Sequence, residues 1–368
     1  MGIMRTVLPP FVFLTLAVTS AATQAAPRTD TPRAGTFRVT FEPVVTTGER
    51  EFTTGTHQQR VGATLPFTTV FIRSERRVTP LGVDFGVTNR ISVGARFPLV
   101  RVNTRESFPL DSTRRLADTA GARRLDSLLQ DTTYALGPIL GTPRRLHQFA
   151  GDFELEAKYR IFESHSFALS GALIVRLPTG HQDSPNRLFD IAAGDHQTDI
   201  ELRVAQELTL LDRLWLNAAV RLGRQQPGTR ERRVGPQSQL LIPRAALARL
   251  DWDPGDYAAL DVAPLYRFTR TFGVGVTLGY YTQGRDRYSY RSAQDSIDVA
   301  TRLGSPVAAS VLNAGTGVRV TRIGAALTYV AANVEGSLSI EQTVSAAGGL
   351  VPVATVYRVV LRTSRWPF

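Results

Sequence analysis

Residues 84–99 read DFGVTNRISVGARFPL, and apolar side chains occupy every second position on both sides of a short polar break. The apolar residues are Phe85, Val87, Ile91, Val93, Ala95, Phe97 and Leu99, and the break is Thr88-Asn89-Arg90. Asp84, Gly86, Ser92, Gly94 and Arg96 lie between them. Because successive side chains of a β-strand point to opposite faces, this period of two indicates strands. The stretch predicts two strands joined by a tight turn, each apolar on one face and polar or small on the other.

The same alternation recurs along the chain after residue 33. It is clearest in GDFELEAKYRIF (151–162), where five apolar residues alternate with five charged ones. Further strands are predicted at 35–43, 78–88, 91–99, 166–177, 198–210, 213–224, 256–269, 272–283, 336–346 and 351–362. Residues 311–331 are predicted as one long strand with a bulge near Arg322, followed by a turn at 333–336. Residues 61–72 are assigned to an extended, partly paired stretch, which gives 12 strands, with 14 as the alternative.

The connections between these strands alternate strictly between short and long. Short links fall near 88–90, 163–165, 211–213 and 270–271, and long links at about 103–149, 179–197, 225–255 and 284–310. Outer-membrane barrels have tight turns on one rim and long loops on the other. Soluble sandwiches and lipocalin-like barrels are the competing folds, but soluble strands cluster near about 5–6 residues, whereas a tilted spanning strand needs about 9–11. The sequence therefore predicts an all-β, closed antiparallel up-and-down transmembrane β-barrel, lipid outside and water within.

Aromatic residues near the predicted strand ends suit the girdles of such a barrel at the two membrane interfaces. They are Phe162, Phe167, Tyr266, Phe268, Tyr280 and Tyr281. The longest link, 104–148, contains DSTRRLADTAGARRLDSLLQ (111–130), in which Leu116, Leu125, Leu128 and Leu129 stand near helical spacing. Asp111 or Ser112 would cap this helix. We expect it in an extracellular loop, either lying on the rim or plugging the barrel mouth.

The first 25 residues are predicted to be a secretory signal peptide. Arg5 supplies the positive charge, VLPPFVFLTLAV the apolar core, and SAATQAA a cleavage zone of small residues. We expect Sec-type export through the periplasm to the outer membrane, with residues 26–34 as a periplasmic segment and 35–368 as the barrel. The final Phe368 resembles the terminal aromatic that the barrel-insertion machinery reads.

Composition excludes several classes of site. The 368-residue chain has no cysteine, so it holds neither a disulfide nor a thiolate metal site. Its formal charge is +11, and 42 of its 43 basic residues are arginine, Lys158 being the exception. No basic cluster with interleaved aromatics is present, which argues against nucleic acid as a partner. The expected partners are outer-membrane lipid and lipopolysaccharide, together with a small-molecule solute.

Three segments resemble a known family. GVTNRISVGARFPLV (86–100), GDFELEAKYRIF followed by LIVRLPTG (173–180), and APLYRF with GYYTQGRDRYSY (279–290) resemble hairpins of the bacterial outer-membrane family named for the meta-cleavage pathway of phenol degradation. The similarity covers about residues 78–290. It implies a 12-stranded, transporter-like barrel that passes small, often hydrophobic or aromatic, molecules. The helical loop at 104–148 and an Arg-rich loop at 224–233 differ from the family pattern. The resemblance therefore does not decide whether the solute is a phenol.

The residues on the second face of the strands are the predicted lining of the interior: Arg96, Asp152, Glu154, Glu156, Lys158, Arg160, Arg176, Glu201, Arg203 and Arg221. They predict a narrow conduit for small aromatic or anionic solutes, because guanidinium groups attract anions and stack on rings. The alternative is a structural or surface-interaction barrel that binds lipopolysaccharide without flux.

An enzyme is not expected, since the chain has neither a Gly-x-Ser-x-Gly elbow nor a His-Glu-x-x-His motif. No cofactor is expected either. HQD (181–183) and GDH (194–196) share one long loop, which makes His181, Asp183, Asp195 and His196 weak candidates for a divalent cation site.

Overall fold

The alternating segments form long strands in the computed structural model, which describes residues 29–367 except 55, 66, 109–118, 138–144, 188–189, 191, 212, 237–240, 332–333 and 349–350. The first half contains β1 (Thr36–Phe41), β2 (Val44–Gly48), β3 (Arg50–Thr54), β4 (His57–Arg60), β5 (Gly62–Leu65), β6 (Thr68–Gly86), β7 (Ile91–Ser107), α1 (Thr119–Gln130), β8 (Arg145–Ala150), β9 (Phe153–Glu163) and β10 (Phe167–Leu177). The second half contains β11 (Asp199–Leu210), β12 (Leu214–Gln225), β13 (Gly228–Arg233), β14 (Leu247–Asp253), β15 (Tyr257–Arg267), β16 (Phe272–Gln283), β17 (Arg287–Tyr290), α2 (Ala293–Leu303), β18 (Val318–Val330), β19 (Val334–Ala347), β20 (Val351–Pro352) and β21 (Thr355–Pro367), with 3-10 turns at Arg244–Ala246 and Ala309–Asn313.

Twelve strand positions close into one barrel, which confirms the predicted count of 12 over 14. Two positions are each filled by two consecutive strands, β1 with β2 and β8 with β9. The order around the wall is β1/β2, β6, β7, β8/β9, β10, β11, β12, β15, β16, β18, β19 and β21, and β21 pairs back onto β1. Neighbours in this wall are antiparallel. The first and last strands therefore seal the barrel, with Phe41 opposite Leu361.

The two faces of the wall differ in polarity in the sense expected for a barrel in lipid. Leu173, Val274 and Leu338 point outward and are 50%, 47% and 53% exposed. Glu201 and Arg203, on the opposite face, are only 2% and 7% exposed. A water-soluble barrel would bury the apolar face and expose the charged one. The barrel is therefore a transmembrane one, with its backbone hydrogen bonds satisfied by closure.

Both chain ends of the barrel lie at one rim, where Thr36 pairs with Pro367. This is also the rim of the tight turns, such as the one between β6 and β7, and we call it the short-turn rim. The opposite long-loop rim carries the longer connections. No helix in the described ranges has the length and apolarity that a membrane span requires.

The long-loop rim has hydrophobic cores of its own. Strands β13, β14 and β17 form a separate three-stranded sheet, and α2 packs on it through a cluster that includes Leu250 and Val299. Helix α1 packs through Leu125 and Leu129 against Val70 of β6. The predicted helix thus exists from Thr119 onward, while its predicted caps and Leu116 lie outside the described residues.

Three sequence predictions need correction. The strand predicted at 311–331 begins only at Val318, because the 3-10 turn at Ala309–Asn313 packs into the core beneath α2 instead of facing lipid. The bulge predicted in this strand near Arg322 lies on its partner instead, since the register shift between Thr321 and Arg322 passes over Val344 of β19. The turn predicted at 333–336 is wrong, since β19 begins at Val334.

Two further corrections concern the long-loop end of β6 and the residue Tyr281. Residues 68–72 belong to the 19-residue strand β6, and Gly62–Leu65 folds back on them as a hairpin. Tyr281, predicted for an interfacial girdle, faces the interior, where its ring lies 5.8 Å from that of Tyr257. Position 281 is on the inward phase of β16, whereas Tyr280 is 43% exposed on the outer face.

Candidate functional site

The ten charged residues predicted for the interior all lie on the less exposed face of the wall. Their side chains range from 3% exposure for Glu201 to 18% for Arg96. The full set is Arg96, Asp152, Glu154, Glu156, Lys158, Arg160, Arg176, Glu201, Arg203 and Arg221. Burial of so many charges requires close partners, because an unpaired ion loses several kcal/mol of hydration. Their part in passing a solute stays a prediction.

Glu156 is the centre of one group of ion pairs. It projects from β9 and lies 3.1 Å from Arg96 on β7, 3.4 Å from Lys158 and 3.5 Å from Arg203 on β11. Strand β10 lies between β9 and β11, so Arg203 must reach across its inner face, where Ala172 faces both Lys158 and Arg203. The small side chain of Ala172 leaves room for these bridges.

A second group surrounds the guanidinium of Arg176. It lies 3.0 Å from Glu154 on β9 and 2.8 Å from Asp199 on β11. Glu201 pairs with Arg203 at 2.9 Å and accepts a 2.6 Å hydrogen bond from the Tyr257 hydroxyl on β15. Four strands are thereby joined through their inward side chains, which narrows this part of the interior.

A glycine makes the Tyr257 contact sterically feasible. A Cβ added to Gly223 of β12 would lie 2.1 Å from the Tyr257 ring. The ring therefore lies flat over the backbone of the neighbouring strand and directs its hydroxyl towards Glu201. This explains why glycine stands in the inward phase of β12, two residues after Arg221.

The interior includes charged residues that the sequence reasoning missed. Asp261 lies 3.0 Å from the predicted Arg221, and Arg358 lies 3.2 Å from Glu42. Arg322 is 9% exposed, and its Nε and Nη2 atoms have no hydrogen-bond acceptor among the described residues. The alternation that located the first ten residues also runs through β15, β18 and β21, so these positions could have been found by extending it.

At the short-turn rim, the segment 29–33 enters the barrel. The Thr29 amide donates a 2.7 Å hydrogen bond to Glu207, which faces inward from β11. The Thr31 hydroxyl accepts a 2.6 Å bond from Arg160 of β9. Thr29 and Thr31 are 2% and 6% exposed, so this segment lies across the interior beside the wall strands.

The same segment is held from the opposite side of the wall. Asp30 pairs with Arg38 of β1 at 2.6 Å. A Cβ on Gly86 would lie 2.1 Å from the Arg33 carbonyl oxygen and 2.6 Å from that of Pro32, so only glycine allows this approach. The sequence reasoning gave Arg160 a place in the interior but did not foresee that it holds the N-terminal segment.

At the long-loop rim, the loop 178–198 folds against the inner wall. Asp152 accepts hydrogen bonds from the amides of Gly180 at 2.8 Å and Asp195 at 3.0 Å. Arg76 of β6 donates a 3.3 Å bond to the Ala193 carbonyl. Ala193 also packs with Val100 and Val102 on the inner face of β7, so polar and apolar contacts together seat the loop.

The carboxyl of Asp195 is buried among other acids in this loop. Burial, followed by the nearby charges of Asp199 and Asp152, raises the pKa of Asp195 to about 8. Arg176 opposes this rise, and Gln197 donates a 3.3 Å bond to the same carboxyl. Asp195 is therefore mostly protonated at neutral pH.

The four weak metal candidates do not come together. His181 Nε2 lies 2.9 Å from Asp190 Oδ1, and its ring stacks on Phe149 with centroids 3.8 Å apart. Asp183 pairs instead with two arginines of β13, and His196 adopts a positive φ of 59° in the turn before β11. Within the described ranges, no group of three His, Asp or Glu residues has the geometry of a metal site.

Asp183 joins the loop 178–198 to the separate sheet at this rim. Its oxygens lie 2.7 Å from Arg230 and 2.6 Å from Arg232, and the Arg230 guanidinium lies over the Trp252 ring at 4.8 Å. Burial raises the pKa of Asp183, but the charges of Arg232 and Arg230 lower it by a larger amount. The net result is a pKa of about 2. The carboxylate thus stays charged and couples two elements covering the barrel mouth.

Comparisons with known proteins agree on the fold. No family model and no curated protein matches the chain, so the resemblance to the phenol-pathway family remains a prediction. Among solved structures, the COG4313 outer membrane channel from Pseudomonas putida F1 is 11% identical, with a TM-score of 0.56 over 91% of this chain and 97% of that one. The Ralstonia pickettii toluene transporter TbuX is 10% identical, with a TM-score of 0.37 over 90% and 89%. The NanC porin is 11% identical, with a TM-score of 0.36 over 88% and 100%. The likeness to the COG4313 structure shows that the chain has the fold of an outer-membrane β-barrel.

Proposed function

We propose that the protein is an outer-membrane conduit that passes small solutes through a narrow interior. The observation that carries this proposal is the pairing of an apolar outer face with an interior built from charged side chains. A polar interior of this kind lines the water-filled channels of porins. Twelve strands also give a bore between the filled eight-stranded barrels and the open 16-stranded porins.

The solute would meet little net fixed charge on this path. Arg96, Arg176 and Arg203 each lie within 3.5 Å of a carboxylate, so they do not act as a free ladder for anions. Arg322 differs from these arginines, since its Nε and Nη2 atoms have no acceptor among the described residues, although both atoms are buried. We propose that its charge, at long range and not through a bond from these atoms, attracts an anionic group of the solute.

The test is single-channel recording in planar bilayers, combined with a liposome-swelling panel of small anions, cations and aromatic acids. We expect small, discrete conductance steps from the wild-type protein. Arg322→Gln should lower the anion-to-cation permeability ratio. Arg319→Gln is the matched control, because Arg319 is an exposed arginine on the same strand, and it should leave that ratio unchanged.

The second candidate function is a structural barrel that binds lipopolysaccharide without flux. It is favoured by the closeness of the interior ion pairs and by the elements packed at both rims. A barrel that stays silent in bilayers, even after residues 29–33 are removed, would support this candidate and contradict the conduit. Under either function, outer-membrane lipid and the barrel-insertion machinery are the expected partners after Sec-type export.

A further inference from the structure

The outer face of the β6–β7 hairpin changes character near the long-loop rim. From Ile91 to Leu99, the outward residues of β7 are predominantly apolar, and Phe97 and Leu99 are each 40% exposed. These nine residues are about the length with which a tilted strand crosses the hydrocarbon layer. Arg101 and Arg105 follow on the same outward phase and are exposed. They therefore lie beyond the hydrocarbon layer, beginning at the level of the lipid headgroups.

Strand β6 contributes two more arginines to the same surface. In the register of the hairpin, Arg77 stands directly opposite Arg101, and Arg73 directly opposite Arg105. Arg77 and Arg73 are also exposed. We call these four side chains the outer arginine patch. Its two pairs are separated by four residues, which is about 13 Å along a strand.

The patch carries a surplus of positive charge. Glu75 lies between the pairs and bonds to Arg77 at 2.7 Å, which leaves the patch with three more cations than anions. Arg60 adds another cation nearby, because its guanidinium lies over the Phe71 ring at 5.1 Å, two residues before Arg73 on the outward phase. Like charges placed directly opposite each other destabilise a strand pair. A bound anion would offset this repulsion between the arginines.

The surplus is local to this hairpin. The outward residues near the long-loop ends of β10 and β11 are apolar, namely Val175, Leu177 and Ile200. Arg224 on β12 and Arg319 on β18 are exposed arginines on other strands of the wall. A general attraction to an anionic membrane would not require two facing arginine pairs on one hairpin.

The inner face of the hairpin shows the reverse change at the same level. Val100 and Val102 are 1% exposed and point inward, as does Val70, which packs against α1. The hydrophobic phase of the strands is thus inverted beyond Leu99. The inward phase of the strands is taken by apolar residues that pack against α1 and the loop 178–198. The arginines therefore stand on the outward phase.

We propose that the outer arginine patch is a binding site for the phosphates of lipopolysaccharide, one arginine pair for each end of a diphosphorylated lipid A. Guanidinium groups match phosphate oxygens with two parallel hydrogen bonds, and such charge-assisted bonds are the strong ones. The long-loop rim is the rim opposite the chain ends, which in a barrel of this fold is the outer-leaflet side. The bound lipid would lie against the outer face of the β6–β7 hairpin, on the opposite side of the wall from α1.

The test measures lipid binding by the full-length protein in detergent, by native mass spectrometry with diphosphorylated lipid A, its dephosphorylated form and phosphatidylglycerol. The variant is Arg73→Gln/Arg77→Gln/Arg101→Gln/Arg105→Gln, and the matched control is Arg224→Gln/Arg319→Gln. We expect the variant to bind diphosphorylated lipid A at least about tenfold more weakly, since several charge-assisted contacts are lost. The control should bind it like the wild type.

Two further comparisons test the proposal: lysine against glutamine at the four positions, and lipid A against phosphatidylglycerol as the ligand. Replacing the same four arginines by lysine keeps the charge and the fold but removes the forked geometry, and it should weaken binding less than glutamine does. Equal binding of diphosphorylated lipid A by the glutamine variant and the wild type would overturn the site. Equal dependence of phosphatidylglycerol on the patch would overturn lipopolysaccharide as the ligand. The readout is independent of conductance, so it stands apart from the proposed function.

Discussion

The two ends of the barrel are covered by different kinds of contact. At the short-turn rim, five residues cross the interior and are held by polar bonds such as Thr29 to Glu207 and Arg160 to Thr31. At the long-loop rim, the cover is seated by apolar clusters, among them Leu125 and Leu129 of α1 against the inner wall. The strap of residues 29–33 at one end is thus held by polar bonds, and the elements at the other end mainly by small hydrophobic cores.

This difference indicates which end opens more readily. A hydrogen bond that is broken can be replaced by one to water, so its net contribution is about 0.5–1.5 kcal/mol, or about 1.5–3 when one partner is charged. Apolar side chains have no such replacement, and fully exposing one costs about 1.5–3 kcal/mol. Opening the long-loop rim would expose several at once, since one cluster there contains Val70, Ile72, Leu125, Leu129 and Leu136. We therefore expect the short-turn rim to open and the long-loop rim to stay ordered.

The largest change should follow deletion of residues 29–33. The deletion removes the strap from the interior, while the wall strands keep their pairing, so the conductance in planar bilayers should rise several-fold. Arg33→Ala is the control, because the exposed Arg33 side chain is lost while the main chain that packs on Gly86 remains. An unchanged conductance would mean that residues 29–33 do not form the narrowest point. It would also contradict the expectation that the short-turn rim opens more readily than the long-loop rim.

At the other rim, Asp183→Asn should loosen the cover. The substitution leaves Arg230 and Arg232 buried without their carboxylate, and breaking such a pair costs about 3–5 kcal/mol. We expect faster amide hydrogen exchange in β13 and in the loop 178–198, with the barrel strands unchanged. Because the folded-state pKa of Asp183 is about 2 against 3.8, its contribution is present above pH 4 and is lost as the pH falls through 2.

Asp253→Asn is the matched control for that experiment. Asp253 lies 3.9 Å from Arg287 in the same sheet, but both side chains are largely exposed. Such a surface pair contributes about 0–1 kcal/mol. Equal exchange rates in the two variants would mean that the buried pairs do not hold the cover.

A smaller effect is expected from Thr31→Val at the short-turn rim. Valine keeps the shape of threonine but removes the hydroxyl that accepts from Arg160 and donates to the Asn89 carbonyl at 3.0 Å. The strap should lose about 1–3 kcal/mol and the channel should spend more time in its open level. Thr36→Val is the control, since its exposed hydroxyl bonds only within the adjacent turn, to Arg33. Identical open times in both variants would contradict the strap.

The smallest effect at neutral pH concerns Asp195. Its pKa is raised above the unfolded value, so its stabilising contribution is present below pH 4 and is lost as the pH rises through about 8. Ionisation beside Asp152 and Asp199 should then loosen the loop 178–198, against the attraction of Arg176. Hydrogen exchange in that loop should accelerate between about pH 5 and 8 in the wild type and level off above pH 8, after correction for intrinsic rates.

Asp195→Asn sharpens this last test. The amide cannot ionise, so the loop should show no added pH dependence, and it should match the wild type only near pH 4. Persistence of the full acceleration in Asp195→Asn would show that another group controls the loop.

Much of the wall could be predicted from local pattern alone. The alternation in 84–99 and 151–162 fixes which side chains share a face, since a strand has a strict period of two. Tyr281 was misplaced because it was grouped with its neighbour Tyr280, although the alternation of β16 already puts position 281 on the inward phase. The strand predicted at 311–331 was too long because apolar residues in Ala309–Asn313 serve a core formed with α2.

The sequence by itself determined the class of fold, a β-barrel in lipid, and the charged face of its strands, because both follow from the period and length of short segments, whereas it left 12 and 14 strands open. Tertiary structure alone decided which charges meet, how the segment 29–33 enters the interior, and where the arginines of β6 and β7 stand in pairs. Those facts depend on the register between strands and on contacts such as Thr29 with Glu207, 178 residues apart. No local pattern encodes such distances, since they arise only when the last strand closes onto the first.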